Sequence, residues 1–271
     1  MNDLDRSPAG GSEYEPSRHN DTPALQTFAL GPEQVLVRGR PLRPSDWTFA
    51  KPRELLFYLL TFPGSSKQQI GLDLWPAAST AQLRNSFHTA LHHLRRGLGE
   101  PTWIAFRHGR YELASLVDYF YDVDQFEAGL AAARAVYAQK RSDAIPHLQA
   151  ALALNRGDFL PEFSDSDWVR RRQDDLQRQF HNAMLTLGAL LQEDGHNADA
   201  ADVYRRAIAR DPLSETAHRE LMRCELKLGE RGHAIRQYER LVEKLREEFD
   251  APPAPETTSL YLRLRRGDPE L

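Results

Sequence analysis

The chain has 271 residues, of which 41% are hydrophobic and 27% are charged, with a formal net charge of −4, a composition typical of a globular protein of about two domains. No apolar run approaches the roughly 20 residues that cross a bilayer, and the polar N-terminus lacks the apolar segment of a secretory signal, so we expect a cytoplasmic protein without membrane contacts. The single cysteine, Cys224, excludes an intrachain disulfide and a cysteine-based zinc site.

The N-terminal part of the sequence predicts a tail followed by strands and helices. Residues 1–22 are rich in Pro, Gly, Ser and acidic residues without periodicity, which indicates a disordered tail. Short strand-like runs follow at residues 25–31 and 34–42. A strong apolar pattern predicts a first helix over residues 52–61. Ser66 can cap a second helix after it.

A third predicted helix and a hairpin lie between Ser79 and Leu113. Ser79 can cap this helix and Gly99 can end it. Its apolar residues recur every three or four positions and fall within about 80° of arc, which predicts a narrow buried stripe. They are Leu83, Phe87, Leu91, Leu94 and Leu98. Two short strands follow, joined by a tight turn at His108-Gly109, so the order β-β-α-α-α-β-β indicates a winged helix.

The side of the third helix opposite the stripe is almost free of acidic residues. Its side chains are short or planar donors and acceptors, which suit base edges in a major groove, whereas an ordinary solvated face mixes Glu with Lys. The residues predicted to contact bases are Gln82, Asn85, Ser86, Thr89 and His92. Asn and Gln can bridge adenine N6 and N7, and Thr can touch a thymine methyl. A merely solvated face is the alternative, and Ser86 could reach either a base or a phosphate.

Positive charge is concentrated around this helix and hairpin. Residues 21–114 carry 11 Lys and Arg against 7 Asp and Glu, whereas residues 115–271 carry 22 against 28. An acidic protein can therefore present one basic region to a phosphate backbone. The residues predicted to contact phosphates are Lys51, Arg53, Arg84, Arg95, Arg96, Arg107, His108 and Arg110. Individual members of this set could instead be ordinary surface charges.

Beyond Leu113 the sequence is helical and contains an internal repeat. Ala200 and Tyr204 recur 34 positions later as Ala234 and Tyr238, which is the period of a tetratricopeptide repeat. The alternative, a plain helical bundle, does not account for a fixed period. We therefore expect an all-α, tetratricopeptide-like domain, and stacked repeats of this kind usually present a concave face to a peptide or helix.

Ordered motifs in both halves resemble one family of regulators. In the N-terminal half these are LWP at Leu74–Pro76, LRNSFHTALHHLRRGLG at Leu83–Gly99 and GRYEL at Gly109–Leu113. In the helical half they are DVDQFEAGLAAAR, ALALNRGDFL, DPLSETAHRELM and IRQYERLVEKL. Together they resemble the antibiotic regulatory proteins (SARP) of actinobacterial type, in which an OmpR/PhoB-like winged helix precedes a bacterial transcriptional activation domain (BTAD).

This resemblance implies a transcriptional activator. Members of the family bind direct repeats in double-stranded promoter DNA with subunits side by side, which implies a homodimer on DNA, and they help to recruit the RNA polymerase holoenzyme. The sequence contains neither a receiver domain nor a GxxxxGK[ST] motif, so the resemblance does not extend to two-component signalling or to an NTPase module. The alternative is a tetratricopeptide-type interaction scaffold whose N-terminal domain only docks partners.

The sequence contains no signature of catalysis or of a cofactor. No Ser-His-Asp or Cys-His arrangement has the supporting strand and turn context, so we predict that the protein is not an enzyme and uses no cofactor. His88 and His92 have a spacing that can bind zinc. Their helix offers no carboxylate as a third ligand, so no metal site is predicted.

The predicted fold class is mixed, with an N-terminal α+β winged helix followed by an all-α repeat domain. We expect a disordered tail at residues 1–22, a DNA-binding domain at 23–115, a tetratricopeptide-like activation domain at 116–258 and a C-terminal tail at 259–271. The arginine run at 170–172 is surrounded by aspartates. We therefore expect an ion-paired helix there rather than a second nucleic-acid site.

Overall fold

The N-terminal half of the chain is a winged helix, as seen in a computed structural model that describes residues 22–47 and 49–268. Its strands are β1 (Leu25–Phe28), β2 (Gln34–Val37), β3 (Arg40–Pro41), β4 (Ser65–Ser66), β5 (Ile104–Arg107), β6 (Arg110–Leu113) and β7 (Tyr119–Tyr121). Its helices are α1 (Ala50–Thr61), α2 (Lys67–Leu74) and α3 (Thr80–Leu98). The expected N-terminal tail lies outside the described residues, apart from Thr22.

The strands form two small sheets. One sheet has the order β3-β2-β1-β7, with β7 parallel to β1, and the other has the order β4-β6-β5. The run predicted at residues 34–42 contains both β2 and β3, which a turn with positive φ at Arg38 and Gly39 divides. The sequence does not predict β4 or β7, because strands of two or three residues show no periodicity and form only where a partner pairs with them. Residues 119–121, expected in the helical domain, therefore lie in the N-terminal sheet.

The C-terminal half is a stack of helices. They are α4 (Asp122–Tyr137), α5 (Ala144–Ala153), α6 (Asp167–Glu193), α7 (Asn197–Arg210), α8 (Glu215–Lys227), α9 (Arg231–Phe249) and α10 (Pro255–Arg266). Helix α10 corrects the expected C-terminal tail, because most of residues 259–268 lie in it. Pro255 starts this helix, and Leu260 and Leu264 are buried together with Met222 of α8 and Ala234 of α9.

The repeat predicted from the 34-residue period is confirmed by the packing of α6 to α9. A Cβ atom added to Gly188 of α6 would lie 2.5 Å from the ring of Tyr204 of α7, so this position must be glycine for the two helices to approach. The equivalent aromatic residue of the next repeat, Tyr238, stacks on Tyr261 of α10 with ring centroids 4.0 Å apart. The mixed fold class predicted from the sequence is therefore correct.

The two halves share one continuous hydrophobic core. Strand β7 runs directly into α4, and Asp122 at the start of α4 accepts hydrogen bonds from the backbone N–H groups of Ala29 (2.8 Å) and Leu30 (3.0 Å). A backbone bridge also joins Leu30 to Phe159. The helical half is thus attached to the edge of the N-terminal sheet by backbone contacts as well as by side chains.

Polar contacts join α1 and α2 to the start of α6, a buried one from α1 and an exposed one from α2. Glu54 of α1 is 2% exposed and accepts a hydrogen bond from Trp168 Nε1 at 3.0 Å. Asp73 of α2 accepts from the Tyr58 hydroxyl (2.7 Å) and from Arg171 of α6 (2.8 Å). Burial, followed by the neighbouring Asp73 carboxylate, raises the pKa of Tyr58. In the described part of the chain, no helix is long and apolar enough to cross a membrane.

Candidate nucleic-acid interface

Helix α3 is fixed at both ends by the residues that the sequence predicts. Ser79 and Gln82 form a capping box, in which Ser79 Oγ accepts from the Gln82 N–H and Gln82 Oε1 accepts from the Ser79 N–H at 2.9 Å. Gly99 ends the helix in a left-handed conformation. The predicted apolar stripe is buried except for Leu83, which is only half-buried, so the opposite face of α3 is directed outward.

A hairpin formed by β5 and β6 packs beside α3 as the wing. His108 and Gly109 both have positive φ, 51° and 79°, as a two-residue hairpin turn of type I′ requires. Tyr111 of β6 packs on Phe87 of α3 with ring centroids 4.8 Å apart, and burial raises the pKa of its hydroxyl. Arg95 of α3 donates to the Ile104 carbonyl at 2.8 Å. These contacts hold the wing in a fixed position relative to the helix.

The residues predicted to contact bases lie on the outward face of α3. Gln82, Asn85, Thr89 and His92 are exposed, and Ser86 is half-buried. The whole helix contains no Asp or Glu. The capping box uses one of the two acceptor lone pairs of Gln82 Oε1 and fixes the orientation of its amide. Asn85 has no such constraint, so its amide is the freer of the two to turn into a bidentate contact with adenine, which needs the oxygen as well as the nitrogen.

Several of the predicted phosphate contacts are exposed around this face. Arg84 and Arg96 of α3 and Arg107 of the wing are exposed, and none of their guanidinium groups forms a hydrogen bond or ion pair with another described residue. His108 is exposed at the tip of the wing. Arg110 donates one N–H to the Gly64 carbonyl at 2.7 Å, which leaves its other N–H groups available.

The other three predicted phosphate contacts are held by protein partners. Lys51 Nζ lies 2.6 Å from Glu54 Oε2, and Arg53 lies 2.8 Å from Glu162 Oε2 and is only 16% exposed. Both residues begin α1, which packs against the helical half, and the sequence did not indicate this packing. Arg95 is half-buried against the wing. We therefore leave these three residues out of the proposed phosphate-binding set.

Lys67, which the sequence analysis did not single out, belongs beside the wing. It is the first residue of α2 and follows Ser66, which pairs with Arg110 in the β4–β6 ladder. Its ammonium group makes no hydrogen bond or ion pair with the described residues. The capping box of Ser66 and Gln69 marks a helix N-terminus, where anions bind favourably. The sequence pattern of that capping box could have identified Lys67 as a candidate phosphate contact.

Comparisons with known proteins identify relatives of both halves. Residues 121–265 match the family model described as the bacterial transcriptional activator domain. The transcriptional regulatory protein MoaR1 of Mycobacterium tuberculosis and that of Mycobacterium bovis are each 28% identical to the chain over 264 residues, which cover 91% of this chain and 81% of theirs. A solved structure of Mycobacterium tuberculosis EmbR in complex with a low-affinity phosphopeptide has a TM-score of 0.75 and 22% identity. That match covers 92% of this chain and 66% of the EmbR chain, and it shows a shared fold.

Proposed function

We propose that the chain, which belongs to the family of the bacterial transcriptional activator domain, recognises promoter DNA sequence-specifically through α3 and the wing. It is a transcriptional regulator of the antibiotic-regulatory-protein type. One surface supports this proposal, namely the outward face of α3 together with the arginines around it. That face offers base-reading side chains without an acidic residue in the helix. Three guanidinium groups on α3 and the wing, those of Arg84, Arg96 and Arg107, have no protein partner among the described residues.

The arrangement of this face fits a helix inserted into a major groove. Gln82, Asn85 and Thr89 lie within the first three turns of α3, and recognition helices contact base edges with their N-terminal residues. Arg84 lies at the side of the helix and Arg107 lies on the wing, so both are suited to the phosphates that border the groove. We propose that Asn85 and Thr89 read bases, and that Gln82 donates a single hydrogen bond.

The helical half is proposed to act on the transcription machinery. As the family resemblance implies, we propose that subunits bind direct repeats side by side and that the helical domain helps to recruit RNA polymerase holoenzyme. We also propose that residues 23–115 bind DNA and that the region from residue 116 onward binds protein partners. Because Glu54 and Asp73 join α1 and α2 to α6, DNA bound to α3 would present the helical domain in a fixed orientation.

A binding assay on the full chain tests the DNA-binding proposal. Gel shifts should be run at several salt concentrations on DNA from upstream of its own and adjacent genes, with shuffled DNA of equal length as the control. We expect a preference for one promoter fragment that persists while overall affinity falls linearly on a log–log salt plot. Selection from random DNA should then return a direct repeat, whose spacing reports the arrangement of the subunits.

The scaffold alternative predicts a different outcome. A protein whose N-terminal domain only docks other proteins would show no sequence preference at any salt concentration. Weak binding without such a preference, lost uniformly as salt rises, is the ordinary non-specific attraction of a basic surface for DNA. That result would exclude the activator proposal.

A further inference from the structure

Three potential metal ligands meet at the turn between α8 and α9. Glu225 lies near the end of α8, Glu230 lies in the turn, and His233 lies in the first turn of α9. Each offers one ligand atom, and these atoms all lie within 4.8 Å of one another. Nδ1 of His233 is 3.1 Å from a carboxylate oxygen of Glu230. Glu225 and His233 also line a common cavity of about 670 Å³, which three arginines and two further glutamates line as well.

Glu225 is buried without a full set of partners. It is 3% exposed, and one of its carboxylate oxygens, Oε2, has no hydrogen-bond donor. The other oxygen, Oε1, lies 3.3 Å from a guanidinium nitrogen of Arg205. A buried carboxylate oxygen that lacks a partner carries an uncompensated desolvation cost. A cation held at the mouth of this cavity would remove that cost.

The preceding repeat shows that packing does not require a carboxylate at this position. Thirty-four residues earlier, the positions of Glu225, Glu230 and His233 are occupied by Leu191, His196 and Asp199. Leu191 is buried to the same degree, at 5% exposure. The first repeat, formed by α6 and α7, therefore has an exposed histidine–carboxylate pair beside a buried leucine. Of the two, only the second repeat, formed by α8 and α9, places a buried carboxylate next to such a pair.

We propose that Glu225, Glu230 and His233 bind a divalent first-row transition metal ion, with Zn²⁺ as the representative, and that the ion clamps the turn between α8 and α9. One imidazole nitrogen and two carboxylate oxygens are ordinary ligands of zinc. Ligands about 2.1 Å from a tetrahedral zinc lie about 3.4 Å apart, close to the 3.1 Å already present between His233 and Glu230.

Small side-chain movements would bring the third ligand into range. The side chains of His233 and Glu230 are 53% and 43% exposed, so they are free to rotate toward the buried Glu225. Water can complete the coordination, since only three protein ligands are present. No metal site is predicted from the sequence, because Glu225 occupies a repeat position that is usually apolar and its ligand partners lie across a turn.

Zinc binding by the full chain tests this proposal. Calorimetric titration with ZnCl₂ and the unfolding midpoint with and without Zn²⁺ should be measured for the wild type and for two site variants, Glu225→Leu and His233→Gln. Glu225→Leu copies the first repeat, and Arg205 keeps its contact with Asp202 at 2.8 Å, so the variant should fold. If Glu225→Leu does not fold, the zinc titration can be repeated with Glu225→Gln, whose side chain has the same shape as glutamate.

Two matched controls separate this site from other histidines. His196→Gln removes the equivalent exposed histidine of the first repeat, and His88→Gln removes one member of the His88–His92 pair on α3. We expect one equivalent of Zn²⁺ on the wild type and on both controls, and a loss of affinity of at least about 100-fold in both site variants. Zn²⁺ should raise the unfolding midpoint of the wild type but not of Glu225→Leu.

Three results would overturn the proposal. The wild type could fail to bind Zn²⁺, Glu225→Leu could bind it as tightly as the wild type, or His88→Gln could abolish the binding. The first two results would leave the DNA-binding proposal unaffected, because α3 and the α8–α9 turn share no residues. The third would place the ion on α3, and the DNA-binding assays would then be repeated with and without Zn²⁺.

Discussion

Helices α3 and α6 both carry arginines, but among these only Arg84 and Arg96 of α3 have guanidinium groups without a protein partner in the described part of the chain. Arg84 and Arg96 of α3 are exposed and form no ion pair with a described residue. The arginine run at the start of α6 is engaged throughout, in the pairs Arg170–Asp167, Arg171–Asp73, Arg172–Glu127 and Arg172–Asp175. The number of arginines therefore does not distinguish the two helices, and the proposal for α3 depends on the absence of nearby carboxylates.

The difference has a simple electrostatic origin. A guanidinium group that already faces a carboxylate has its N–H groups and its orientation committed, and a phosphate would have to displace that partner. A guanidinium group in water exchanges only solvent and condensed counterions when it meets a phosphate.

The largest effect is expected when an acid is placed on the acid-free face. Thr89→Glu puts a carboxylate on an exposed position of α3, facing the proposed base edges and phosphates. Like charges brought together at an interface cost several kcal/mol, so affinity for every DNA sequence should fall by roughly 100-fold or more. Fluorescence anisotropy with labelled promoter DNA measures the change.

Thr89→Gln is the matched control for this substitution, because a glutamine side chain has nearly the same size as a glutamate side chain but carries no charge. Glu has a better helix propensity than Thr, so circular dichroism of Thr89→Glu should show no loss of helix. If Thr89→Glu and Thr89→Gln bind DNA equally, the face of α3 does not approach DNA.

A smaller effect, confined to specificity, is expected at Asn85. Its side chain is exposed and its amide forms no hydrogen bond with a described side chain or carbonyl, so it can form both hydrogen bonds of an asparagine–adenine pair. Asn85→Ala should reduce discrimination between the selected site and its single-base variants by about 1–3 kcal/mol. Non-specific affinity and the unfolding midpoint should stay unchanged. An unaltered specificity ratio would mean that Asn85 does not read a base.

A uniform and weaker effect is expected from single arginines. Arg107→Ala should lower affinity for all DNA sequences to a similar extent and reduce the salt slope by about one. Arg170→Ala is the control, since Arg170 is exposed but paired with Asp167. Its salt slope should equal that of the wild type, and a reduced slope for Arg170→Ala would show that α6 also contacts DNA.

The sequence predicted the local features of the candidate site well. Ser79, Ser66 and Gly99 have the capping roles expected of them, and the His108-Gly109 turn has the expected positive φ angles. Each of these features depends on residues close together in the chain, where residue type limits backbone conformation. The 34-residue period likewise predicted the helical half.

Contacts between distant segments could not be predicted in the same way. Arg53 and Lys51 look available in the sequence, but Arg53 pairs with Glu162, which lies 109 residues away. Strand β7 has three residues and exists only because β1 pairs with it. Sequence patterns report which face of an element is buried, but they do not report which other element buries it. The base-reading set itself remains a prediction.

The smallest expected effect concerns His218, a buried histidine of the helical half that contrasts with the exposed histidines of α3. Its Nε2 lies 3.0 Å from the Pro212 carbonyl and its Nδ1 lies 2.7 Å from Gln237 Nε2, so the neutral ring, with its proton on Nε2, satisfies both partners. Burial lowers the pKa of His218 below its ordinary value of 6.5. The unfolded chain therefore binds one more proton than the folded chain at pH values between the two pKa values.

Because the pKa of His218 is lowered by folding, its contribution to stability is complete above pH 6.5 and is lost as the pH falls through the folded-state pKa. Urea unfolding at a series of pH values from 8 to 5 should show the free energy of unfolding falling on acidification. In His218→Gln this fall should be shallower, by at most about 1.4 kcal/mol per pH unit. Subtracting the pH slope of His218→Gln from that of the wild type separates the contribution of His218 from those of the other titrating groups. Identical slopes for the two proteins would show that His218 is protonated equally in the folded and unfolded chains.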